Sequence, residues 1–282
     1  MGRKSFFTAD DEGRLIPGRL AMSLWGPDAL NGPAVCAAAA HAAESAGRRD
    51  GFQPARFTLE LFKSARRLPT TTDVRVLRDG RRIRVVEVSV LQHPDSSADE
   101  VLVARGTVVF LKQGTNPPGG RWQRPPSSFT PPSEPGEGYR PWFRTPERPW
   151  ASEMAAFQND ERLSLWSRPF SVVPDEPLTP FQRAVIAGES TSLATNWGEG
   201  GIGFINGDLT VALARLPEGE RIGLEADSHI ESSGLSVGTA NLYDEHGQFG
   251  IGLVTAIDNT AAMIDFTTAF PPSMSQSPPE LN

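Results

Sequence analysis

The segment FTLELFKSARRLP at residues 57–69 is matched in the second half of the chain by INGDLTVALARLP at residues 205–217. Each segment predicts a strand that is followed by the tripeptide Arg-Leu-Pro. The same offset places a helical pattern at residues 33–47 on another at residues 181–195. A three-residue match alone is weak support. The shared order of helix, loop, strand, tripeptide and further strands nevertheless predicts two copies of one structural unit.

The two predicted helices carry different signals. The first is preceded by Asn31-Gly32-Pro33, which suits a helix start, and Gly47 suits its end. Residues 34–40 are small and apolar on every face, so this helix is expected to be buried all round. The second helix begins with a capping box, in which Thr179 satisfies a backbone amide and Gln182 lies three residues on.

Runs rich in β-branched residues follow each helix and predict strands. They lie at residues 56–62, 73–77, 82–91 and 101–111 in the first copy, and at 208–214, 221–230, 235–243 and 249–257 in the second. Arg78-Asp79-Gly80 predicts a hairpin whose turn uses positive φ angles. A long buried helix followed by antiparallel strands predicts a sheet curled around that helix. The predicted fold is therefore α+β, a double hotdog of two fused helix-plus-antiparallel-sheet repeats.

Composition shifts divide the chain into four predicted parts. An N-terminal hotdog spans residues 1–116, a Pro-rich linker 117–149, a C-terminal hotdog 150–270, and a disordered tail 271–282. The linker holds ten of the 25 prolines, so it can form neither helix nor central strand. Its spaced aromatic residues predict a segment held along the surface of both halves; they are Trp122, Phe129, Tyr139, Trp142, Phe143 and, just beyond, Trp150.

Charge and cysteine content exclude several classes of protein. A net charge of −7 argues against nucleic acid as a general partner, because phosphate binding needs a broad positive field. The single cysteine, Cys36, allows no internal disulfide and no multi-cysteine metal site, and its apolar surroundings predict a buried core residue. We find neither a secretory signal nor an apolar run of about 18 residues, and so expect a cytoplasmic protein without a membrane span.

With these elements in place, the sequence resembles the acyl-CoA thioesterase II (TesB-like) family. In the first copy the resemblance lies in Leu30-Asn31-Gly32-Pro33-Ala34-Val35, in residues 57–69 and in residues 76–80. In the second copy it lies in residues 201–204, 208–211 and 242–247. It covers about residues 15–112 and 178–257. The resemblance implies a hydrolase of acyl-CoA thioesters, acting in lipid metabolism without cofactor or metal.

The resemblance also implies three catalytic positions. In that family an aspartate on the second-copy helix, a threonine on the next strand and a glutamine on the last strand orient the attacking water. These positions fall on Glu189, Asn206 and Thr255, and all three depart from the family's residues. Glu189 keeps a carboxylate for general-base chemistry. The side chain of Asn206 can donate and accept hydrogen bonds, whereas Thr255 offers only a short hydroxyl group.

Four further residues are candidates for substrate binding. Gly201 and Gly203 are expected to let the chain pass close to the helix end and form one wall of an acyl pocket. Asp208 begins a strand, and its structural interpretation is a strand-start residue. Arg82 belongs to an arginine-rich hairpin that could bind the phosphates of coenzyme A, although a solvated strand face explains such a hairpin as well.

Other interpretations of these residues stay open. Glu189 lies in an apolar helix, where a buried carboxylate is costly unless it is bonded or functional, but it could also point toward a loop. Its counterpart in the first copy is His41, and a lone helical histidine is more often a core residue. The four histidines lack metal-ligand spacing.

Three alternative functions remain. A non-catalytic acyl-CoA-binding protein would keep the fold and the pocket, and the substituted catalytic positions favour it. A hotdog hydratase or dehydratase would need an Asp/His pair in a recognisable motif, which we do not find. A purely structural repeat protein leaves Glu189 unexplained. Pairing into a homo-oligomer through exposed sheet edges is a hypothesis, and the acyl chain length cannot be predicted.

Overall fold

A computed structural model describes residues 3–94, 99–125, 127 and 129–269. The predicted disordered tail lies outside these residues. The α-helices in these ranges are α1 (Gly32–Gly47), α2 (Pro180–Glu189), α3 (Thr191–Thr195) and α4 (Phe266–Ala269). Strands of the first half are β1 (Phe7–Ala9), β2 (Leu15–Pro17), β3 (Phe52–Leu61), β4 (Thr70–Asp79), β5 (Ile83–Gln92) and β6 (Val101–Lys112). The remaining strands are β7 (Trp142–Arg144), β8 (Ser164–Ser167), β9 (Trp197–Gly198), β10 (Gly201–Ile202), β11 (Phe204–Asn206), β12 (Asp208–Leu213), β13 (Ile222–Ser232), β14 (Leu235–Asp244) and β15 (Gly247–Asp258).

The two copies share one antiparallel sheet. Its strand order is β1-β2-β4-β5-β6-β3-β12-β15-β14-β13-β8-β7, with β11 also pairing to β15. The copies meet where β3 pairs with β12, with Phe57 opposite Val211 and Thr58 opposite Thr210. This continuous sheet with a long helix on it confirms the predicted α+β double hotdog.

The helices begin where the sequence predicts. Asn31 Oδ1 accepts the amide of Ala34 (2.9 Å) at the start of α1. At the start of α2, Thr179 Oγ1 accepts the amide of Gln182 (3.1 Å), and the Gln182 side chain accepts the amide of Thr179 (3.3 Å). The two N-caps, Asn31 and Thr179, are separated by the same interval as the repeated segments, as predicted. The second helix, however, is interrupted at Ser190, immediately after the last residue of α2.

Both helices lie in one core that crosses the boundary between the copies. Phe57 of the first copy and Phe181 of the second are fully buried, and their rings meet edge to face at 6.4 Å. The small residues of α1 allow a close approach to the sheet; a Cβ at Gly47 would lie 2.1 Å from the ring of Phe110. Cys36 is fully buried in this core, as predicted.

The strands of the second copy do not keep the spacing of the helices. The interval from β4 to β13, and equally from β5 to β14, is longer than the interval between the two N-caps. The difference arises because residues 196–203 separate α3 from β11, while only residues 48–51 separate α1 from β3. The prediction that the strand at 57–65 matches 205–213 was therefore out of register: β3 matches β11 and β12 together.

One turn also differs from its prediction. The hairpin between β4 and β5 forms at the expected place, but neither Asp79 nor Gly80 has a positive φ. Gly80 is needed instead for a close approach, since a Cβ there would lie 2.9 Å from the carbonyl oxygen of Ile83. Positive φ angles occur in the hairpin between β13 and β14, at Ser233 (52°) and Gly234 (77°).

Most aromatic residues of the Pro-rich segment pack against the protein, but Trp122, which was predicted to do the same, is 86% exposed. Among the described residues, the ring contacts of this segment are with the second copy and not with both halves as predicted. Phe129 stacks on Tyr243 with ring centroids 4.3 Å apart, and Tyr139 stacks on Phe170 at 5.1 Å. β7 pairs with β8 at the edge of the sheet, where a proline-rich segment can add a strand. In the described ranges no helix is both long and apolar enough to cross a membrane.

A hydrogen-bonded link between α1 and α2 gives a stability prediction. The Thr179 hydroxyl donates to Glu44 Oε2 (2.6 Å), and Gln182 Nε2 donates to the same oxygen (3.0 Å). Burial raises the pKa of Glu44. We expect Thr179→Ala to lower the free energy of unfolding by about 2 kcal/mol, because it removes both a helix cap and a partner of a buried carboxyl. Urea denaturation measures the loss.

The matched control is Thr115→Ala, since Thr115 is exposed in a loop. Its free energy of unfolding should stay within about 0.5 kcal/mol of wild type. Equal losses in the two variants would show that the Thr179 link contributes nothing specific.

Candidate active site

A cavity of about 530 Å³ lies between the two copies, within the size range of small-molecule sites. It opens at the start of α1, and the end of β3, the end of α2 and the β10–β11 region form its other walls. Apolar side chains dominate the lining; examples are Leu30, Val35, Leu61, Ile202, Ile205 and Ile264. Such a lining suits an apolar ligand, with a few polar groups to orient it.

Glu189 is the buried carboxyl group of this cavity. It is the last residue of α2 and is 8% exposed. Burial raises the pKa of Glu189 to about 8, although a hydrogen bond from Asn206 acts in the opposite direction. The Asn206 Nδ2 atom lies 3.5 Å from Glu189 Oε1. A carboxyl group with this pKa can exchange a proton near neutral pH, which is the property of a general acid or base.

The carboxyl group of Glu189 lies against the first residue of α1. A Cβ added at Gly32 would be 1.8 Å from Glu189 Oε1, so only glycine leaves room for this carboxyl position. The end of α2 thus meets the start of α1. Since Thr179 at the start of α2 bonds Glu44 near the end of α1, the two helices run antiparallel.

Gly32 also offers a backbone donor. In the first turn of α1, the amide of Asn31 donates to Ala21 O, the amide of Ala34 donates to Asn31 Oδ1, and Pro33 has no amide hydrogen. Among the described residues, the Gly32 amide has no such acceptor. A carboxyl group and an unpaired helix N-terminal amide therefore lie side by side in the cavity wall, an arrangement that can both accept a proton and stabilise an oxyanion.

The structure brings Glu189 and Asn206 together but not Thr255. The Thr255 hydroxyl donates to the Asp208 carboxylate, and the Thr255 amide donates to Asp208 Oδ1 (3.1 Å). Neither Thr255 nor Asp208 lines the cavity. These two residues satisfy each other's hydrogen-bonding groups, so they form a link between β12 and β15 and are not placed to contact a ligand in this cavity.

Gly201 and Gly203 support the cavity wall without lining it. Gly201 has φ 101°, and a Cβ there would lie 2.0 Å from the carbonyl oxygen of Ile264. A Cβ at Gly203 would lie 3.2 Å from the sulfur of Met263. The close approach lets Ile202 and Ile264 exchange backbone hydrogen bonds of 2.9 and 3.0 Å, and both of these isoleucines line the cavity.

Arg82 lies far from the cavity. It is exposed in the turn between β4 and β5, and its neighbour Arg84 donates to Ala46 O near the end of α1. The cavity lies at the start of α1, and a helix of this length spans roughly 24 Å. The expectation that Arg82 binds substrate therefore does not fit its position, because a hairpin at one end of the sheet cannot be assigned to a site at the other.

Residues outside the predicted set also line the cavity. Lys63 is exposed at its rim, and Ser190 and Ser192 follow Glu189. Lys63 belongs to the repeated segment at residues 57–69, so the sequence drew attention to this segment. The position of Lys63 beside the cavity becomes visible only when the two copies are packed together. His41 does not line the cavity, and its Nε2 atom lies 3.9 Å from Glu176 Oε2. Within the described ranges, no group of three or more His, Cys, Asp or Glu residues is arranged to hold a metal ion.

The raised pKa of Glu189 makes stability depend on pH. A value of about 8 in the folded state, against 4.5 for the free side chain, means that the folded protein binds more protons than the unfolded chain between these values. The contribution of Glu189 to stability is full below pH 4.5 and is lost as pH rises toward about 8. We expect Glu189→Gln to gain stability relative to wild type across this window, by at most about 5 kcal/mol.

Denaturant titrations of both proteins at about pH 5 and about pH 9 measure this difference. Glu147→Gln is the control, because Glu147 is exposed. A stability difference between wild type and Glu189→Gln that does not change with pH would contradict the buried-carboxyl interpretation.

Comparisons with known proteins agree with this architecture. Residues 22–111 match a sequence model of the acyl-CoA thioesterase N-terminal domain, and residues 119–251 match one of the C-terminal domain. A search of curated proteins gives no match. Among solved structures, a TesB protein from Mycobacterium avium subsp. paratuberculosis is similar, with 16% identity, a TM-score of 0.59, and coverage of 87% of this chain and 92% of that one.

Two further structures share the fold. Acyl-CoA thioesterase II TesB2 from Mycobacterium marinum is 14% identical, with a TM-score of 0.60 and coverage of 89% of this chain and 94% of that one. A conserved protein with a hot dog fold from Alicyclobacillus acidocaldarius is 15% identical, with a TM-score of 0.62 and coverage of 87% and 91%. The two family matches together cover most of the sequence, and they show that this chain belongs to the acyl-CoA thioesterase family, whose members are thioester hydrolases.

Proposed function

We propose that the protein hydrolyses acyl-CoA thioesters to a free acid and coenzyme A, with Glu189 as the general base. The observation that carries this proposal is the position of Glu189, a buried carboxyl group with a pKa of about 8, in the wall of the 530 Å³ cavity beside the unpaired amide of Gly32. Family membership supports thioester hydrolysis as the reaction class. The positions of Glu189 and Gly32 in the cavity wall support their roles as general base and oxyanion donor.

The reaction begins with a water molecule next to the ionised Glu189. As the water oxygen attacks the thioester carbonyl carbon, one of its protons moves to the Glu189 carboxylate. The carbonyl oxygen becomes an oxyanion, which accepts a hydrogen bond from the Gly32 amide at the positive end of the α1 dipole. Collapse of the tetrahedral intermediate breaks the carbon–sulfur bond, and the coenzyme A thiolate takes the proton back from Glu189.

The pKa of Glu189 suits both proton transfers. A thiol has a pKa of about 8.5, so a carboxyl group with a pKa of about 8 can return a proton to the leaving sulfur with little free-energy difference. An ordinary carboxylate, with a pKa near 4, would be a weak base toward water. Burial at the end of α2 therefore supplies the basicity that the reaction needs.

Asn206 orients the base. Its Nδ2 atom donates to Glu189 Oε1 at 3.5 Å, which leaves its carbonyl oxygen available to accept the second proton of the water. In our proposal Thr255 and Asp208 take no part in catalysis, because they bond to each other outside the cavity. The glutamine position of the family thus has no direct substitute at Thr255.

The cavity accommodates the two parts of the substrate differently. The apolar lining suits an acyl chain, whereas the exposed Lys63 at the rim supplies a positive charge for a phosphate of coenzyme A. This assignment replaces Arg82, which lies at the other end of α1.

A non-catalytic acyl-CoA-binding protein is the second candidate function. The observation that favours it is the engagement of Thr255 by Asp208, which removes one of the three polar groups that the family resemblance implies. Thiol release from an acyl-CoA separates the two functions. Saturable binding of acyl-CoA without thiol release would establish the binding protein.

Location and assembly are further proposals. A cytoplasmic location fits a chain with one cysteine, and cell fractionation tests it. Pairing of two chains through exposed sheet edges is tested by gel filtration, where a strict monomer would exclude it.

The contact between Gly32 and Glu189 predicts the effect of one added methyl group. Gly32→Ala should lower kcat/KM about a hundredfold, because the new Cβ displaces the Glu189 carboxyl group by an ångström or more. Gly26→Ala is the control, since its Cβ would make only an ordinary contact of 3.9 Å with Ala29. Adding Glu189→Asp to Gly32→Ala shortens the acid and should restore part of the activity. A Gly32→Ala enzyme with wild-type kcat/KM would exclude the proposed carboxyl position.

The pH dependence of thiol release tests the base directly. Glu189 must be ionised to act, so kcat/KM of wild type should rise about tenfold per pH unit below pH 8 and level off above it. Glu189→Gln should lose at least about a hundredfold in kcat/KM and lose this inflection. If the variant keeps both the rate and the pH profile of wild type, Glu189 is not the base.

A further inference from the structure

A cluster of arginines lies at the start of α2, remote from the residues that line the large cavity. Arg3, Arg168 and Arg183 line a second, smaller cavity together with Glu220, and Arg221 follows Glu220 in the chain. Arg168 Nη2 lies 2.5 Å from Glu220 Oε2, and Arg3 Nη1 lies 3.9 Å from Glu220 Oε1. Three guanidinium groups and one carboxylate thus line this cavity, with Arg221 next to that carboxylate in the chain, in a protein whose net charge is −7. The local excess of positive charge calls for an anion.

Two of these arginines carry buried hydrogen-bond donors without a protein acceptor. Within the described part of the chain, Arg183 Nε and Arg221 Nη1 are buried and have no hydrogen-bond partner. The other nitrogens are held in place: Arg183 Nη1 donates to Leu178 O (2.8 Å), and Arg221 Nη2 donates to Gly136 O (2.6 Å) and Gly138 O (2.7 Å). Buried polar groups are normally paired, so these two donors are available to an acceptor that binds beside them.

The electrostatics favour an added negative charge. Burial lowers the pKa of Arg183 and of Arg221. The Glu220 carboxylate raises the pKa of both, while a neighbouring arginine lowers each further: Arg3 for the first and Arg168 for the second. An anion bound among them would offset both the burial and the repulsion. Arg168 is further fixed by its position over the ring of Tyr139, 5.0 Å from the centroid, so its guanidinium is preorganised.

The small cavity has the volume of a tetrahedral oxyanion. It measures about 70 Å³, which corresponds to about five water-sized groups. Inorganic phosphate has five non-hydrogen atoms. The charge and the planar donor forks of arginine match the oxygens of a phosphate.

The arginine cavity in the second copy occupies the position that corresponds to the start of α1 in the first copy. The large cavity lies at the start of α1, and the arginine cavity lies at the start of α2, where Pro177 and Leu178 precede the helix. Here the N-terminal segment runs beside the second copy, with the amides of Phe6 and Phe7 donating to Ser171 O and Val172 O (both 2.9 Å). Phe6 and Phe7 are buried, so this segment covers the position and leaves room only for a small group.

We propose that Arg3, Arg168, Arg183 and Arg221 form a second binding site, separate from the hydrolytic cavity, that takes a phosphate dianion, either free or as the terminal group of a phosphorylated small molecule. The site is assembled by four segments: the N-terminal segment, the residue that follows β8, the start of α2 and the loop before β13. A bound phosphate links these segments through Arg3, Arg168, Arg183 and Arg221.

Calorimetric titration with inorganic phosphate, at constant ionic strength and neutral pH, tests the site through two variants with opposite effects. Arg3→Gln should weaken binding about tenfold, because it removes a charge-assisted contact from an exposed segment. Glu220→Gln should strengthen binding about threefold, because it removes the one competing carboxylate of the cluster. Arg78→Gln, which removes an exposed arginine from the first copy, should leave the dissociation constant unchanged.

Titrations with adenosine 3′,5′-bisphosphate and with adenosine distinguish a phosphorylated small molecule from the free anion as the ligand. Bisphosphate binding that is tighter than phosphate binding and is weakened by Arg3→Gln supports a phosphorylated small molecule. Equal affinities support the free anion. Adenosine should not compete in either case. The proposal is overturned if phosphate shows no saturable binding at about 10 mM, or if Arg3→Gln and Glu220→Gln leave its affinity unchanged.

Discussion

The antiparallel pairing of β3 with β12 is the interaction on which the rest of the structure depends. It joins the sheets of the two copies into one, with Phe57 opposite Val211, and it fixes how the copies face each other. Because both sheets are then continuous, α1 and α2 must lie side by side on the same surface, and Phe57 of one copy packs on Phe181 of the other. The antiparallel helix pair follows from this arrangement, and so does the contact between the end of α2 and the start of α1.

The chemistry of the cavity arises at that helix contact. Glu189 ends α2 in a place where burial costs the charged form free energy, and its pKa rises to about 8. The absence of a side chain at Gly32 is what allows the carboxyl group to occupy this place, 1.8 Å from where a Cβ would be. One missing methyl group thus couples the two copies: the second supplies the carboxyl group, and the first supplies the backbone amide.

The departure from two-fold symmetry makes the two helix starts different. The N-caps keep the interval of the sequence repeat, but the longer connection between α3 and β11 contains the β9–β10 hairpin, which carries Ile202 into the wall of the large cavity. At the start of α2 the N-terminal segment and the arginines occupy the corresponding place. An open apolar cavity therefore lies at the start of α1, and a small basic cavity lies at the start of α2.

The sequence by itself determined the fold class, the helix starts and most strands, because these depend on local signals: the capping box at Thr179, the buried run of alanines after Pro33, and the β-branched runs. The resemblance to the thioesterase family also singled out Glu189 and Asn206. Tertiary structure alone decided which candidates meet. Thr255 pairs with Asp208 and Arg82 lies at the wrong end of α1, since strand register and helix direction are set by the packing of the two copies. The role of Gly32 depends on a carboxyl group in the other half of the chain, and no local pattern encodes such a contact.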